Sequence, residues 1–270
     1  MQNYIEIVFE KGSSENELLL AALTSAGYEG FEQNDESLKA YIPEQDFDNA
    51  ELIAIAKSFE INFTQQLIAA TNWNAEWESG FDPVTVDDFV SIRAHFHPAN
   101  KNVQHEILIT PKMSFGTGHH ATTWLMMSAM RNINFHETRV LDFGTGTGIL
   151  AILAEKLGAA YIEAIDIDEW SIDNATENVK NNNCGKIELR LADKPGTEKV
   201  FDIILANINR NIILEHLGTL AKLITKEGQI VFSGLLVEDK NAITAAANSV
   251  GLKLSEKNVR DNWLSLQFSY

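Results

Sequence analysis

The stretch Val140-Leu141-Asp142-Phe143-Gly144-Thr145-Gly146-Thr147-Gly148 decides the fold. It runs from an apolar strand into an apolar helix through a glycine-rich turn. A ligand site at the carboxyl end of an open α/β sheet has this strand–turn–helix form. Glycines let the backbone turn tightly and approach a ligand without a Cβ clash. Outward from this stretch, strands and helices alternate. Strands are expected at 139–143, 161–166, 187–191, 201–206, 229–233, 252–258 and 263–269, with helices at 150–157, 169–182, 212–223 and 238–250 between them. A further helix at 121–133 precedes the first strand. Such alternation predicts a mainly parallel sheet covered on both faces. The short link between the last two strands predicts an antiparallel hairpin. Residues 105–270 therefore read as an α/β domain on a mainly parallel sheet.

The first seventy residues read differently, as β-α-β-β-α-β. Residues 4–9 alternate as a strand, and Leu18, Leu19, Ala22 and Leu23 fall at helical spacing before the stop at Gly27. Residues 28–33 and 38–42 form a pair of short strands, 48–59 a second helix, and 61–69 a closing strand. This order predicts a small α+β, ferredoxin-like domain, a module that contacts proteins or RNA. Residues 71–104 read as a linker in which Trp73, Trp77, Phe81 and Phe89 pack onto a neighbouring domain, punctuated by Pro83 and Pro98.

Charge separates the two regions. Residues 1–100 hold 18 acids and 4 bases, a net of −14, whereas residues 101–270 hold 20 acids and 17 bases, a net of −3. An acidic field repels phosphates and attracts basic partners, which argues against direct nucleic-acid binding; solubility alone also accounts for it. The single cysteine, Cys184, excludes an internal disulfide and fits a reducing compartment. The start Met1-Gln2-Asn3-Tyr4-Ile5 lacks the basic and apolar regions of a signal peptide, and no apolar run approaches membrane-spanning length, so a cytoplasmic location is expected.

The candidate site follows the strand tips. Gly144, Gly146 and Gly148 have the spacing Gly-x-Gly-x-Gly, unlike the Gly-x-Gly-x-x-Gly expected where a pyrophosphate docks. Asp142, two residues earlier, is placed to meet the ammonium of a methionine moiety. Both details favour S-adenosylmethionine over NAD, whose dehydrogenases are the nearest alternative. Asp166, at the end of the next strand and 22 residues after Gly144, suits ribose hydroxyls; Asp168 and Glu169 suit helix capping. Asp193 after the third strand suits the adenine amino group or a solvated loop. At the fourth tip, Asn207 or Asn209 offers a side-chain amide for a nitrogen nucleophile, with Asn207 nearer the strand and the other reading a turn residue. The turn between Gly116 and Gly118 folds over the cofactor or merely leads into Thr122 and Thr123 at a helix start. His119 and His120 are adjacent and make a poor metal pair, so no metal site is expected.

Together, Ser114-Phe115-Gly116-Thr117-Gly118-His119-His120-Ala121-Thr122-Thr123, the glycine turn, Ala164-Ile165-Asp166-Ile167-Asp168 and Leu205-Ala206-Asn207-Ile208 resemble the ribosomal protein L11 methyltransferases. Trp73-Asn74-Ala75-Glu76-Trp77 resembles that family's linker. The resemblance implies a Rossmann-like class I methyltransferase domain and cofactor contacts at Thr123, Gly144, Asp166 and Asn207. It implies methylation of lysine side chains of ribosomal protein L11, with the N-terminal amine as a second target, and substrate recognition by residues 1–70. One departure stands out. Many nitrogen methyltransferases carry Asn-Pro-Pro-Tyr at the fourth tip, whereas this chain has Asn207-Ile208-Asn209-Arg210 and no stacking aromatic there.

Overall fold

The computed structural model describes residues 3–10, 16–33, 37–68, 82–111, 120–196 and 200–270. The chain divides into two units, Met1–Gly80 and Phe81–Tyr270.

In the smaller unit, strands β1 (Tyr4–Glu10), β2 (Gly30–Gln33), β3 (Ser37–Pro43) and β4 (Phe63–Ile68) form one sheet in the order β2-β3-β1-β4. Every neighbouring pair is antiparallel. Helices α1 (Asn16–Ser25) and α2 (Asn49–Ser58) complete the ferredoxin-like order. Leu38, Ala40 and Ile42 alternate into the core beside Ile7 and Phe9, the period-2 signature of a half-buried strand. Asp48 caps α2 by accepting from the amides of Ala50 at 2.7 Å and Glu51 at 3.3 Å.

Among the described residues of the larger unit, seven strands form its main sheet. These are β8 (Arg139–Phe143), β9 (Tyr161–Asp166), β10 (Ile187–Leu191), β11 (Phe201–Asn207), β12 (Ile224–Leu236), β13 (Lys253–Arg260) and β14 (Trp263–Ser269). Their order is β10-β9-β8-β11-β12-β14-β13. The first five are parallel, and β14 runs antiparallel to both β12 and β13. Alternation along β8 explains the two covered faces: Val140 enters one apolar core, and Leu141 and Phe143 the other. Helices α3 (Ala121–Met130) and α4 (Ile149–Lys156) supply the first core; α6 (Arg210–Leu223) and α7 (Lys240–Ser249) supply the second. Helix α5 (Glu169–Asn181) lies against β9 and β10.

The sequence reading differs from the structure mainly at residues 71–104. Within that expected linker, β5 (Val84–Val86) and β6 (Val90–Ala94) pair with β7 (His105–Ile109) in a three-stranded sheet of the larger unit. Val86, Phe89, Val90 and Ile92 are buried in its first core. Runs of three to five residues are too short to show a period, so these strands are not legible in the sequence. Phe89 packs as expected of the aromatics; Trp73, Trp77 and Phe81 lie outside the described residues.

Asparagines fasten β7 to α5. The Asn182 amide pairs with Leu108 like a neighbouring strand, accepting from its N–H at 3.0 Å and donating to its carbonyl at 2.6 Å. Asn178, fully buried, accepts from the Thr110 amide at 2.8 Å and donates to the Thr147 carbonyl at 2.9 Å. These side chains satisfy backbone groups that a buried segment cannot leave open.

Candidate active site

The chain leaves β8 toward β9 and β10 on one side, and returns through β11 and β12 on the other. That reversal between β8 and β11 is the switch point where open α/β sheets bind ligands. A cavity of about 820 Å³ opens there. The tips of four parallel strands line it: Phe143, Gly144 and Gly146 after β8, Asp166 and Ile167 after β9, Asp193 after β10, and Asn207 and Ile208 after β11.

Two glycines give the turn its shape. Gly144 and Gly146 have φ of +78° and +53°, a region L-residues rarely adopt. A Cβ on Gly144 would lie 2.3 Å from Cγ2 of Ile208. Gly148, with φ of +80°, starts α4.

Asp166 is half-buried and anchors the turn while facing the cavity. Its Oδ2 accepts from the Gly146 amide at 2.8 Å and its Oδ1 from the Asp168 amide at 3.0 Å. Asp193 is exposed at the rim. Ile167 and Phe143 add apolar surface to the lining. Asp168 caps α5 by accepting from the Trp170 amide, as its position suggested.

Asp142 sits elsewhere than expected. It is fully buried beneath the turn and is not part of the cavity lining. One oxygen accepts from the Thr145 hydroxyl at 2.6 Å and the Ala151 amide at 3.2 Å; the other has no partner among the described residues. The side chain therefore ties the glycine turn to the start of α4. Burial is the main reason its carboxyl is raised to about 7; the Asp166 charge adds to this, and the two hydrogen bonds oppose it. An unfolded aspartate titrates near about 3.9. Between these values the folded state holds a proton that the unfolded state has lost. The stabilising contribution is thus complete below pH ~4 and is lost as pH rises toward ~7. Asp142→Asn is expected to abolish this part of the decline, so the melting temperatures of variant and parent, measured without ligand, should diverge as pH rises from 4 to 7. Parallel curves would contradict it.

Asn207 is half-buried at the tip of β11 and lines the cavity. Its Nδ2 donates to the Thr123 hydroxyl at 3.4 Å, and its Oδ1 is buried with no partner among the described residues. Asn209, the other candidate, caps α6 instead, accepting from the Ile212 amide at 3.1 Å. Thr123 is buried in the first turn of α3 and touches Asn207 without lining the cavity; Thr122 lines it. His120, not a threonine, caps α3: its Nδ1 accepts from the Thr122 amide at 3.3 Å. Residues 114–119 of the expected flexible turn lie outside the described residues.

Sequence reasoning missed several lining residues. Gly234 lies at a register shift between β12 and β14 with φ of +80°, and a Cβ there would meet the Ile208 carbonyl oxygen at 2.3 Å. Trp263 begins β14 and meets the His120 ring edge-on at 4.5 Å between centroids. His216 of α6 stacks edge-on against Phe143. A glycine at a strand end was a usable signal; the two aromatic pairings join segments far apart in the chain.

The donor set fits a sulfonium nucleoside. The volume falls in the range of small-molecule sites, with carboxylates at the second and third strand tips, apolar surface beside them, and at the fourth a buried acceptor unpaired among the described residues. Fold and site define a class I S-adenosylmethionine-dependent methyltransferase. A family model described as "Ribosomal protein L11 methyltransferase (PrmA)" matches residues 4–270, and the chain belongs to that family. It is 41% identical over 261 residues to a ribosomal protein L11 methyltransferase of Porphyromonas gingivalis, covering 94% of this chain and 90% of that one. Identity to the protein of the same description from Chlorobaculum tepidum is 38% over 277 residues, covering 97% and 95%. Among solved structures, the ribosomal protein L11 methylase of Lactobacillus delbrueckii subsp. bulgaricus superposes with a TM-score of 0.65 at 29% identity, over 70% of this chain and 97% of that one.

Proposed function

We propose that the chain methylates lysine side chains, and the N-terminal amine, of ribosomal protein L11. The observation that carries the reading is Asn207: a buried amide oxygen without a partner among the described residues, lining the same cavity as the Asp166 and Asp193 carboxylates. S-adenosylmethionine, when bound, supplies an electrophilic methyl on a positively charged leaving group. Asp166 would hold the ribose hydroxyls and Asp193 the adenine amino group, beside the glycine turn.

The chain's own work is then binding and orientation. An attacking amine must be neutral, and lysine's reference pKa is about 10.4. The apolar part of the lining, Ile208 and Trp263 among it, favours the uncharged form by desolvation. The Asn207 carbonyl accepts a hydrogen bond from the amine N–H and aims the lone pair, so alignment supplies much of the acceleration. Asn207→Ala is expected to lower kcat by roughly 100-fold and to leave S-adenosylhomocysteine affinity within about threefold. Full turnover by this variant would remove Asn207 from the reaction. The direct test is mass spectrometry of L11 incubated with enzyme and cofactor; no added 14-Da increments would end the proposal.

Residues 1–70 serve as the substrate-recognition domain in this reading, and the enzyme works in the cytoplasm. The net −14 of the first hundred residues supports a basic protein partner. KM for the protein substrate is expected to rise several-fold between about 50 and 300 mM salt, because surface attraction is screened over roughly 10 Å, while KM for the cofactor stays nearly constant. Equal salt dependence of both would count against charge-guided docking. No helix among the described residues is long and apolar enough to cross a membrane.

A further inference from the structure

The cavity has two ends, set by the strand order. Asp166, Ile167 and Asp193 come from β9 and β10, on one side of β8. Trp263 comes from β14, beyond β11 and β12 on the other side, and Asn207 lies between the two groups. The first end is accounted for by the cofactor. The second is not, and it holds the feature the sequence lacks beside Asn207: an aromatic face.

Trp263 is half-buried and fixed from three directions. It pairs with Leu236 and Arg260 in the sheet. The next residue is held by the fully buried Ser233 hydroxyl, which donates to the Leu264 carbonyl at 2.9 Å. The His120 ring meets the indole at a steep angle, centroids 4.5 Å apart, and is itself held by the Thr122 hydroxyl at 2.8 Å. Of the other aromatics lining the cavity, Phe143 is 5% exposed and engaged by His216.

We infer that Trp263, braced by His120, is the binding wall for the target amine, taking the lysine stem and its methylated nitrogen on the indole face. The inference rests on the proposed methylation of amines and names the residue that replaces the missing tip aromatic. Indole has the strongest π-face for cations, and methylated ammonium groups are its usual ligands. After a transfer the new ammonium gives up a proton to solvent, and the neutral methylated amine still packs its stem and N-methyl groups on the indole, so a further transfer proceeds at the same place.

The test compares Trp263→Ala and Trp263→Phe with the parent enzyme, on L11 as substrate. Trp263→Ala is expected to lower kcat/KM about 10- to 30-fold and to shift products toward monomethyl-lysine by mass spectrometry. Trp263→Phe should recover to within about threefold. S-adenosylhomocysteine affinity, by calorimetry, should stay within about twofold in both. A second measurement uses the parent enzyme: the Trp263 indole N–H signal, assigned by its loss in Trp263→Phe, should shift when a peptide carrying Nε-trimethyllysine is added with S-adenosylhomocysteine. Wild-type kinetics in Trp263→Ala, equal damage in both variants with ligand affinity intact, or an unmoved indole signal would each overturn the inference. If Trp263→Ala fails to fold, the indole signal and the phenylalanine variant decide it. If the parent enzyme labels no amine of L11, the underlying functional proposal fails, and that result is separate from the others.

Discussion

Gly234→Ala is expected to abolish methyl transfer and to lower folding stability by about 3 kcal/mol. The added Cβ would stand 2.3 Å from the Ile208 carbonyl oxygen, 2.8 Å from its carbonyl carbon and 3.0 Å from its nitrogen. Those are backbone atoms, and no side-chain rotation relieves them. The φ of +80° adds strain to any L-residue there. Relief requires the tip of β11 to move, and Asn207 moves with it. Denaturant unfolding midpoints and turnover measure the two effects. Gly218→Ala is the contrasting change: it lies inside α6 with no atom within 4 Å of where the added methyl would stand, and should stabilise by up to about 1 kcal/mol. A Gly234→Ala enzyme with parental stability and turnover would refute the account of this crossing.

Asp166→Ala is expected to weaken cofactor binding by roughly 100- to 1,000-fold. Two hydroxyl donors to one carboxylate make charge-assisted hydrogen bonds, each worth about 1.5–3 kcal/mol. The same carboxylate also holds the Gly146 amide at 2.8 Å, so the substitution loosens the turn as well. Asp193→Ala should cost less than about tenfold, because an exposed group exchanges one hydrogen bond with water. Calorimetric titration with S-adenosylhomocysteine ranks the two. Equal losses, or a larger loss at Asp193, would reverse the assigned roles. Asp166→Asn separates charge from shape: an amide oxygen can still accept from Gly146, while the acceptor pair for the ribose is halved.

How much is legible depends on whether a feature is local. The glycine turn announces itself because positive φ demands glycine at fixed spacing, and Gly144 and Gly146 lie where that spacing puts them. Asp166 and Asn207 can be found because strand ends are visible in the alternation, and ligands sit at strand ends. Asp142 departs from expectation for a reason the sequence hides: depth. Two residues before a glycine turn, a carboxylate can face the ligand or lie beneath the loop, and only packing decides; here Thr145 and Ala151 take it. Strands β5 and β6 escape because three- and five-residue runs carry no period. Trp263 and His120 are 143 positions apart, so nothing local joins them. The ferredoxin-like order of the smaller unit, by contrast, is readable from alternating helix and strand periods alone.

Ile208 is flanked by glycines on both sides, Gly144 against its side chain and Gly234 against its carbonyl. A tip packed this closely has little room to rearrange when a ligand arrives. The entropy of ordering it is lost once, when the chain folds, and is not deducted from every catalytic cycle. Ligand-free and ligand-loaded forms should therefore superimpose at residues 207–209, leaving adaptation to other parts of the pocket rim.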